Sequence, residues 1–323
     1  MCAKPSVKEW LLVTSAGAAL GLGLAWLDTG SWIYGIGLAA AMWAVLAPLV
    51  GRRSAHPAIA FLALYPLIAS TAVLTMDGHA GVTFDRYLLA ADGAFGFQAG
   101  FAAARFTGSH PAVKWLCELC YFGLPVAMAS LFHTSSARRL MLVSGLLAVS
   151  SLAGYAAFPA VGAQMAFGDR FPNDPPPTNA SFATLVSEPG GIARNFMPSL
   201  HTAWGLALLL AAWPLGKWWR LAILVYLAPM LLETLARHYL CDIIVAVPWA
   251  LSCWNIILKR WEMASAYLLT AASWMLLIRF ALPLFYASPL IPWLLAAATL
   301  AMPIAMNAVP VPIRGRAAAV DQA

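Results

Sequence analysis

Arg237-His238-Tyr239-Leu240-Cys241-Asp242-Ile243-Ile244-Val245-Ala246-Val247-Pro248-Trp249-Ala250-Leu251-Ser252-Cys253-Trp254-Asn255-Ile256-Ile257-Leu258 decides the fold. From Tyr239 to Leu258 the run has about the 20 apolar residues that a helix needs to cross a hydrocarbon core. Its one charged side chain, Asp242, stands near one end, beside His238 and Arg237. Ionisable groups at membrane depth are costly and mark function. The run therefore reads as a transmembrane helix with chemistry at its mouth.

The rest of the chain agrees. Of its 323 residues 62% are hydrophobic and 10% charged, with a mean hydropathy of +0.78. A soluble domain carries about 25% charged residues, so a soluble fold is excluded and a bilayer expected. The net charge of +6 does not point to nucleic acid, because the basic residues come in ones and twos between apolar stretches and form no patch. Five cysteines at irregular spacing make no disulfide framework. Cys117 and Cys120 form a CxxC with greasy flanks and no second pair, which reads as two small residues inside a helix.

Ten stretches are long and apolar enough to span, at 10–27, 32–50, 58–75, 112–132, 140–158, 198–215, 221–236, 239–258, 264–284 and 290–309. The first follows Lys4 and Lys8 as a signal peptide would, but without a small-residue cleavage pattern it reads as a span. The fold class is thus all-α, a polytopic transmembrane helical bundle of about ten spans. Alternate connections place Lys4, Lys8, Arg52, Arg53, Arg138, Arg139, Lys217, Arg220, Lys259, Arg260, Arg314 and Arg316 on one side, 12 of the 19 basic residues. Cytoplasmic loops retain Lys and Arg, so both termini are expected in the cytoplasm of a cell whose plasma (inner) membrane holds the protein. The long connections 76–111 and 160–197 then face outward. Large aromatics and single charges at near-helical spacing from Phe84 to Phe106 read as an interfacial helix. The second connection is rich in Pro and is expected to cover a site.

Two clusters at outward span ends carry the chemistry. One is Arg194-Asn195-Phe196-Met197-Pro198-Ser199-Leu200-His201-Thr202; the other is Arg237-His238-Tyr239-Leu240-Cys241-Asp242. His238 and Asp242 are four apart on one helical face, so the carboxylate can orient one imidazole nitrogen and leave the other as a nucleophile. His201 would come from another helix as a separate acid or base. Arg194, Arg237 and the backbone N–H groups at the start of the sixth span supply positive potential for an anion. Ser199 is a cap or a phosphate contact. A phosphate ester fits this set. Two histidines and one aspartate without a fourth ligand argue against zinc, and Ser199, two residues from His201, points elsewhere than a serine-hydrolase dyad requires.

Pro198-Ser199-Leu200-His201-Thr202 followed by His238-Tyr239-x-x-Asp242 resembles the second and third motifs of the type 2 phosphatidic acid phosphatase superfamily, in its branch of inositol phosphorylceramide synthases and, more distantly, sphingomyelin synthases. The stretch from Phe84-Asp85-Arg86 to Gly96 and Phe158-Pro159-Ala160-Val161-Gly162 are similar to the same branch. The resemblance covers about residues 84 to 256. The superfamily's first motif is not found, Leu231-Leu232 replaces the Ser-Arg of simple phosphatases, and Ala246 stands where Gly is frequent. The resemblance implies three regions: N-terminal transmembrane helices 1–83, a catalytic core 84–256, and C-terminal helices with a short tail 257–323. It further implies that His238 attacks phosphorus, Asp242 stabilises the imidazolium, and His201 protonates the leaving alkoxide and then deprotonates the acceptor hydroxyl. Arg194, Arg237 and Ser199 would hold the phosphate. No metal or cofactor is required. The partners implied are membrane lipids: a phospholipid or lipid phosphate as donor, and water, ceramide or another lipid hydroxyl as acceptor.

The competing class is a transporter, suggested by ten spans and by Glu118, Glu233 and Arg279 within them. A transporter places paired charges near the midplane, whereas here the strongest polar residues collect at one membrane face. Glu233 is expected to contact the site or pair with an arginine, and Glu118 and Arg279 to enter internal ion pairs or, as the second reading, to contact the substrate head group.

Overall fold

Glycine and proline cut the apolar chain into helices, and the cuts place the site. The computed structural model describes residues 82–131, 134–187 and 196–305. The expected spans 10–27, 32–50 and 58–75, and the end of the last, lie outside the described residues.

In chain order the elements are β1 (Val82–Thr83), α1 (Asp85–Gly93), α2 (Ala99–Ser109), α3 (Pro111–Phe122), α4 (Leu124–Ser130), α5 (Ala137–Ala157), α6 (Ala163–Phe167), β2 (Val186–Ser187), α7 (Leu200–Ala212), α8 (Lys217–Arg237), α9 (Leu240–Ile257), α10 (Trp261–Phe280), α11 (Pro283–Ala287) and α12 (Leu290–Ala305). The architecture is all-helical apart from the two-residue antiparallel ladder of β1 and β2, in which Val82 pairs with Ser187 and Thr83 with Val186. Among the described residues four helices, α5, α8, α9 and α10, are long and apolar enough to cross a membrane, and shorter apolar helices cover Leu200–Leu215 and Leu290–Pro303.

The central helix is α9, with 72% of its apolar window buried against 33–39% for the other three. It packs against α5, α7, α10 and α12 and against α1. Ala246 and Ala250 are buried beside Trp254 in its core, so small residues let neighbours approach. The less buried helices keep an apolar outer face: Val149 on α5, Val225 on α8 and Leu269 on α10 are exposed, as lipid contact requires.

Two expectations change. The stretch 112–132 is not one unbroken helix: α3 ends at Phe122, Gly123 makes a turn, and α4 starts at Leu124. Pro125 accounts for the break, since proline lacks an N–H and disfavours helix in the residue before it. The stretch from Phe84 to Phe106, expected as one interfacial helix, is two helices, with a turn at Gly96 whose φ is +91°. α1 is no surface ornament, because Leu88, Leu89, Ala90 and Ala91 are fully buried and it packs against α9 and α10.

The Pro-rich connection lies across α1 and α2. Phe171 meets the Phe101 ring edge-on at 4.9 Å, and Thr178 sits so close to Gly93 that a Cβ there would overlap its hydroxyl. Gln98 Nε2 donates to Thr178 Oγ1 at 3.0 Å. The connection thus covers the helices flanking the start of α9.

Candidate active site

α8 ends at Arg237 and α9 starts at Leu240, so two extended residues, His238 and Tyr239, form the whole turn between two spanning helices. A turn this short fixes the direction of both side chains. His238 N–H still donates to the Thr234 carbonyl at 2.8 Å, closing α8. Asp242, in the first turn of α9, receives the Tyr239 N–H on Oδ2 at 3.2 Å. The same oxygen lies 3.4 Å from His238 Nδ1. His238 is 5% exposed and Asp242 fully buried, so the pair is shielded from solvent. The expected i, i+4 juxtaposition is present, one turn from the helix end.

α7 delivers the other histidine. Ser199 caps it, with Oγ accepting from Thr202 N–H at 3.4 Å and from Thr202 Oγ1 at 3.1 Å. Ser199 N–H donates to the Asp242 backbone carbonyl at 3.3 Å. This one bond ties the start of α7 to the first turn of α9, so motifs some 40 residues apart share a site. His201, two residues into α7, is half-buried and stacks on Tyr121 with centroids 3.7 Å apart. Phe196 leans on His238 at 4.6 Å. Its ring also fills the space over Gly162, where a Cβ would overlap it, and Gly162 holds a φ of +83°. Glycine is needed there for both reasons.

Of the expected phosphate ligands, Arg194 lies outside the described residues. Arg237 donates from Nε to Glu233 at 2.6 Å, has Glu118 at 3.9 Å, and lies over the rings of Tyr121 and Phe122. It therefore reaches the Tyr121 ring on which His201 stacks, as part of an ion-pair group. Glu233 pairs with an arginine, one of its two expected roles, and Glu118 stands 3.9 Å from Lys114 as well. Arg279 has no acidic partner among the described residues; it lies over Phe84 and Phe280 and donates to the Ala157 carbonyl at 3.4 Å. Cys117 and Cys120 are buried thiols on α3, whose Cys120 carbonyl accepts from the Tyr226 hydroxyl of α8.

Sequence reasoning passed over two carboxylates on α1. Asp92 Oδ2 accepts from Leu240 N–H at 2.7 Å and Oδ1 from Cys241 N–H at 3.0 Å. Asp85 Oδ1 accepts from Gly162 N–H and from the Tyr239 hydroxyl, each at 2.9 Å, and Oδ2 from Val161 N–H at 3.0 Å. Both are 1% exposed. A signal existed: they are seven residues apart, hence on one helical face, in a chain that spends charge sparingly.

Burial governs the electrostatics of the groups outside the spanning helices. It pushes the Asp92 carboxyl up to about 7 against the pull of its two N–H donors, and nearby Asp242 adds to the rise. It raises Asp85 too, opposed chiefly by the Val161 N–H and the Tyr239 hydroxyl. His238, in the turn, is pushed down to about 3 by burial, with Arg237 adding to the drop and the Phe196 carbonyl opposing it. The imidazole is therefore neutral at physiological pH, with a lone pair to offer. Asp242 Oδ1 has no hydrogen-bond partner among the described residues, so this side chain keeps acceptor capacity. A cavity of about 220 Å³ adjoins this network, walled by Asp85, Arg86, Phe167, Arg170 and Phe182 among others.

A family model described as the PAP2 superfamily matches residues 86–256, just over half of the chain. No curated protein and no solved structure matches the chain.

Proposed function

The chain belongs to the PAP2 superfamily, whose members are phosphatases and phosphotransferases of phosphate esters, and on that premise we propose a membrane enzyme acting on lipid phosphate esters through His238. One observation carries the reading: His238 Nδ1 stands 3.4 Å from Asp242 Oδ2 while Ser199 N–H, from the helix bearing His201, bonds the Asp242 backbone.

In the first step a neutral nitrogen of His238 attacks phosphorus. The bond from phosphorus to the ester oxygen breaks as that to nitrogen forms, and His201 gives a proton to the departing alkoxide. Asp242 balances the positive charge that develops on the phosphorylated ring. In the second step His201, now neutral, takes the proton of the acceptor hydroxyl, whose oxygen displaces the His238 nitrogen from phosphorus. The protons balance across the cycle. Arg194, Arg237, Ser199 and the N-terminal N–H groups of α7 bear on the phosphate. The acceptor is a lipid hydroxyl, as in inositol phosphorylceramide synthases, with the head group transferred along with its phosphate. The site faces outward from the plasma (inner) membrane, with both termini cytoplasmic.

Purified protein incubated with labelled phospholipids and lipid phosphates, with and without ceramide or diacylglycerol, separates transfer from hydrolysis. Transfer labels the acceptor lipid; free phosphate identifies water as acceptor. Full turnover in His238→Ala, His201→Ala and Asp242→Asn would sink the mechanism. Labelling of single cysteines from outside the cell tests the topology, and access at position 138 in place of 178 would invert it.

A further inference from the structure

The three residues between His238 and Asp242 are all held by one helix outside the spanning bundle. Tyr239 is held by its hydroxyl, which donates to Asp85. Leu240 and Cys241 are held by their N–H groups, which donate to the two oxygens of Asp92. α1 is itself fastened at both ends of this contact. Phe84 N–H donates to the Pro159 carbonyl at 2.8 Å, and the Tyr286 hydroxyl donates to the Ala90 carbonyl at 2.6 Å.

We propose that Asp85 and Asp92 are positioning residues, which through α1 fix the turn that carries His238 and Asp242; the inference rests on the reading of His238 as nucleophile. The geometry distinguishes positioning from mere support. An ordinary N-cap satisfies one N–H with one side-chain oxygen. Asp92 takes two consecutive N–H groups with two oxygens, and so fixes the rotation of the first turn of α9 about its axis. That rotation decides whether Asp242 Oδ2 reaches His238 Nδ1 or points past it. Asp85 acts two helical turns away, about 10 Å along α1, and pins the Tyr239 ring. Its other bonds, from Val161 and Gly162, hold the Gly162 bend against which Phe196 rests. The histidine is thereby bounded on both sides. A buried carboxylate costs more than a hydroxyl or amide would at the same place, and what it adds is this pair of simultaneous acceptors.

Tyr239→Phe deletes one hydroxyl and cuts only the Asp85 tether; Asp92→Asn leaves one acceptor and turns a donor toward an N–H. Each is compared with the full-length wild type in detergent for kcat and KM on the phosphate ester, and with the acceptor, that the wild type turns over in the assay above. The ring nitrogen resonances of His238, assigned by their loss in His238→Ala, give a readout independent of turnover. Positioning predicts that kcat falls about 10- to 100-fold while KM stays within about twofold. The His238 resonances move, and those of His201 stay in place. Unmoved His238 resonances in Tyr239→Phe, or losses that only follow the folded fraction, overturn the proposal. If Asp92→Asn does not fold, Tyr239→Phe decides. If the wild type turns over no phosphate ester, the functional reading fails, and the resonance shift alone decides the positioning.

Discussion

α7 and α9 bring their N-terminal ends to one place, and the two ends are finished in different ways. At α9 the free N–H groups are consumed: Tyr239 donates to Asp242, Leu240 and Cys241 to Asp92. At α7, among the described residues, the side-chain cap is Ser199 Oγ on Thr202 N–H, while Ser199 N–H reaches across to the Asp242 carbonyl. The first N–H groups of any helix lack partners inside it. An end whose N–H groups are taken up by a fixed carboxyl group holds a side chain still. An end finished by a neutral hydroxyl keeps its positive pole for a phosphate. On the proposed mechanism the contrast matches a nucleophile at the α9 end and charge-receiving, proton-donating work at the α7 end.

The division of labour breaks most visibly with leaving groups. His238→Ala should lower turnover of every substrate by about 10⁴-fold, since no other group replaces the attacking nitrogen. His201→Ala should cost about 10²- to 10⁴-fold with an alkyl phosphate, and much less with an aryl phosphate whose leaving group departs without a proton. Equal losses on both substrates would end the assignment of His201 as acid.

The capping contrast also predicts a pH effect. The folded-state pKa of Asp92 is raised to about 7 from 3.8. The native state therefore holds this proton where the unfolded chain has lost it. Its contribution to stability is complete below about 3.8 and is lost as pH rises through about 7. The thermal midpoint of the wild type relative to Asp92→Asn should accordingly fall between pH 4 and pH 7 and be flat above that range. A rise across that interval would reverse the sign and refute it.

At the α7 end, Ser199→Ala removes a buried cap and leaves the Thr202 hydroxyl without its acceptor. It should destabilise by about 1 kcal/mol, read as a lower denaturation midpoint, and a loss as large as that of Asp92→Ala would erase the distinction between the ends. Asp174→Asn, far from both ends, breaks an exposed pair with Arg170. It should change stability by no more than about 0.5 kcal/mol and leave kcat intact; a larger loss would mean that the Pro-rich connection does more than cover α1 and α2.

Much of this was legible in the chain. Helical periodicity put His238 and Asp242 on one face, and the structure has them in contact. A span opening at Pro198 was expected and α7 opens two residues on, at Leu200, and hydropathy marked α5, α8, α9 and α10 as helices of membrane length. The break at Gly123 was written in Gly-Leu-Pro but was outweighed by the apolar run around it. Asp85 and Asp92 were visible as lone charges, yet nothing local told that their partners lie some 70 to 150 residues away. Arg237 was legible as a cation beside the motif histidine; its proximity to Glu118 was not, because Glu118 comes from α3.

What the sequence by itself determined is a membrane-embedded helical chain with a paired histidine and aspartate at the mouth of one helix and a second histidine at the mouth of another. Apolar length and i, i+4 spacing are local properties, and local physics reads them. Only the tertiary structure decided which helix end is closed by carboxylates, and that Asp242 is the joint between α7 and α9. The reason is that a buried polar group takes whichever donors the packing brings within 3 Å, and that choice depends on elements far apart along the chain.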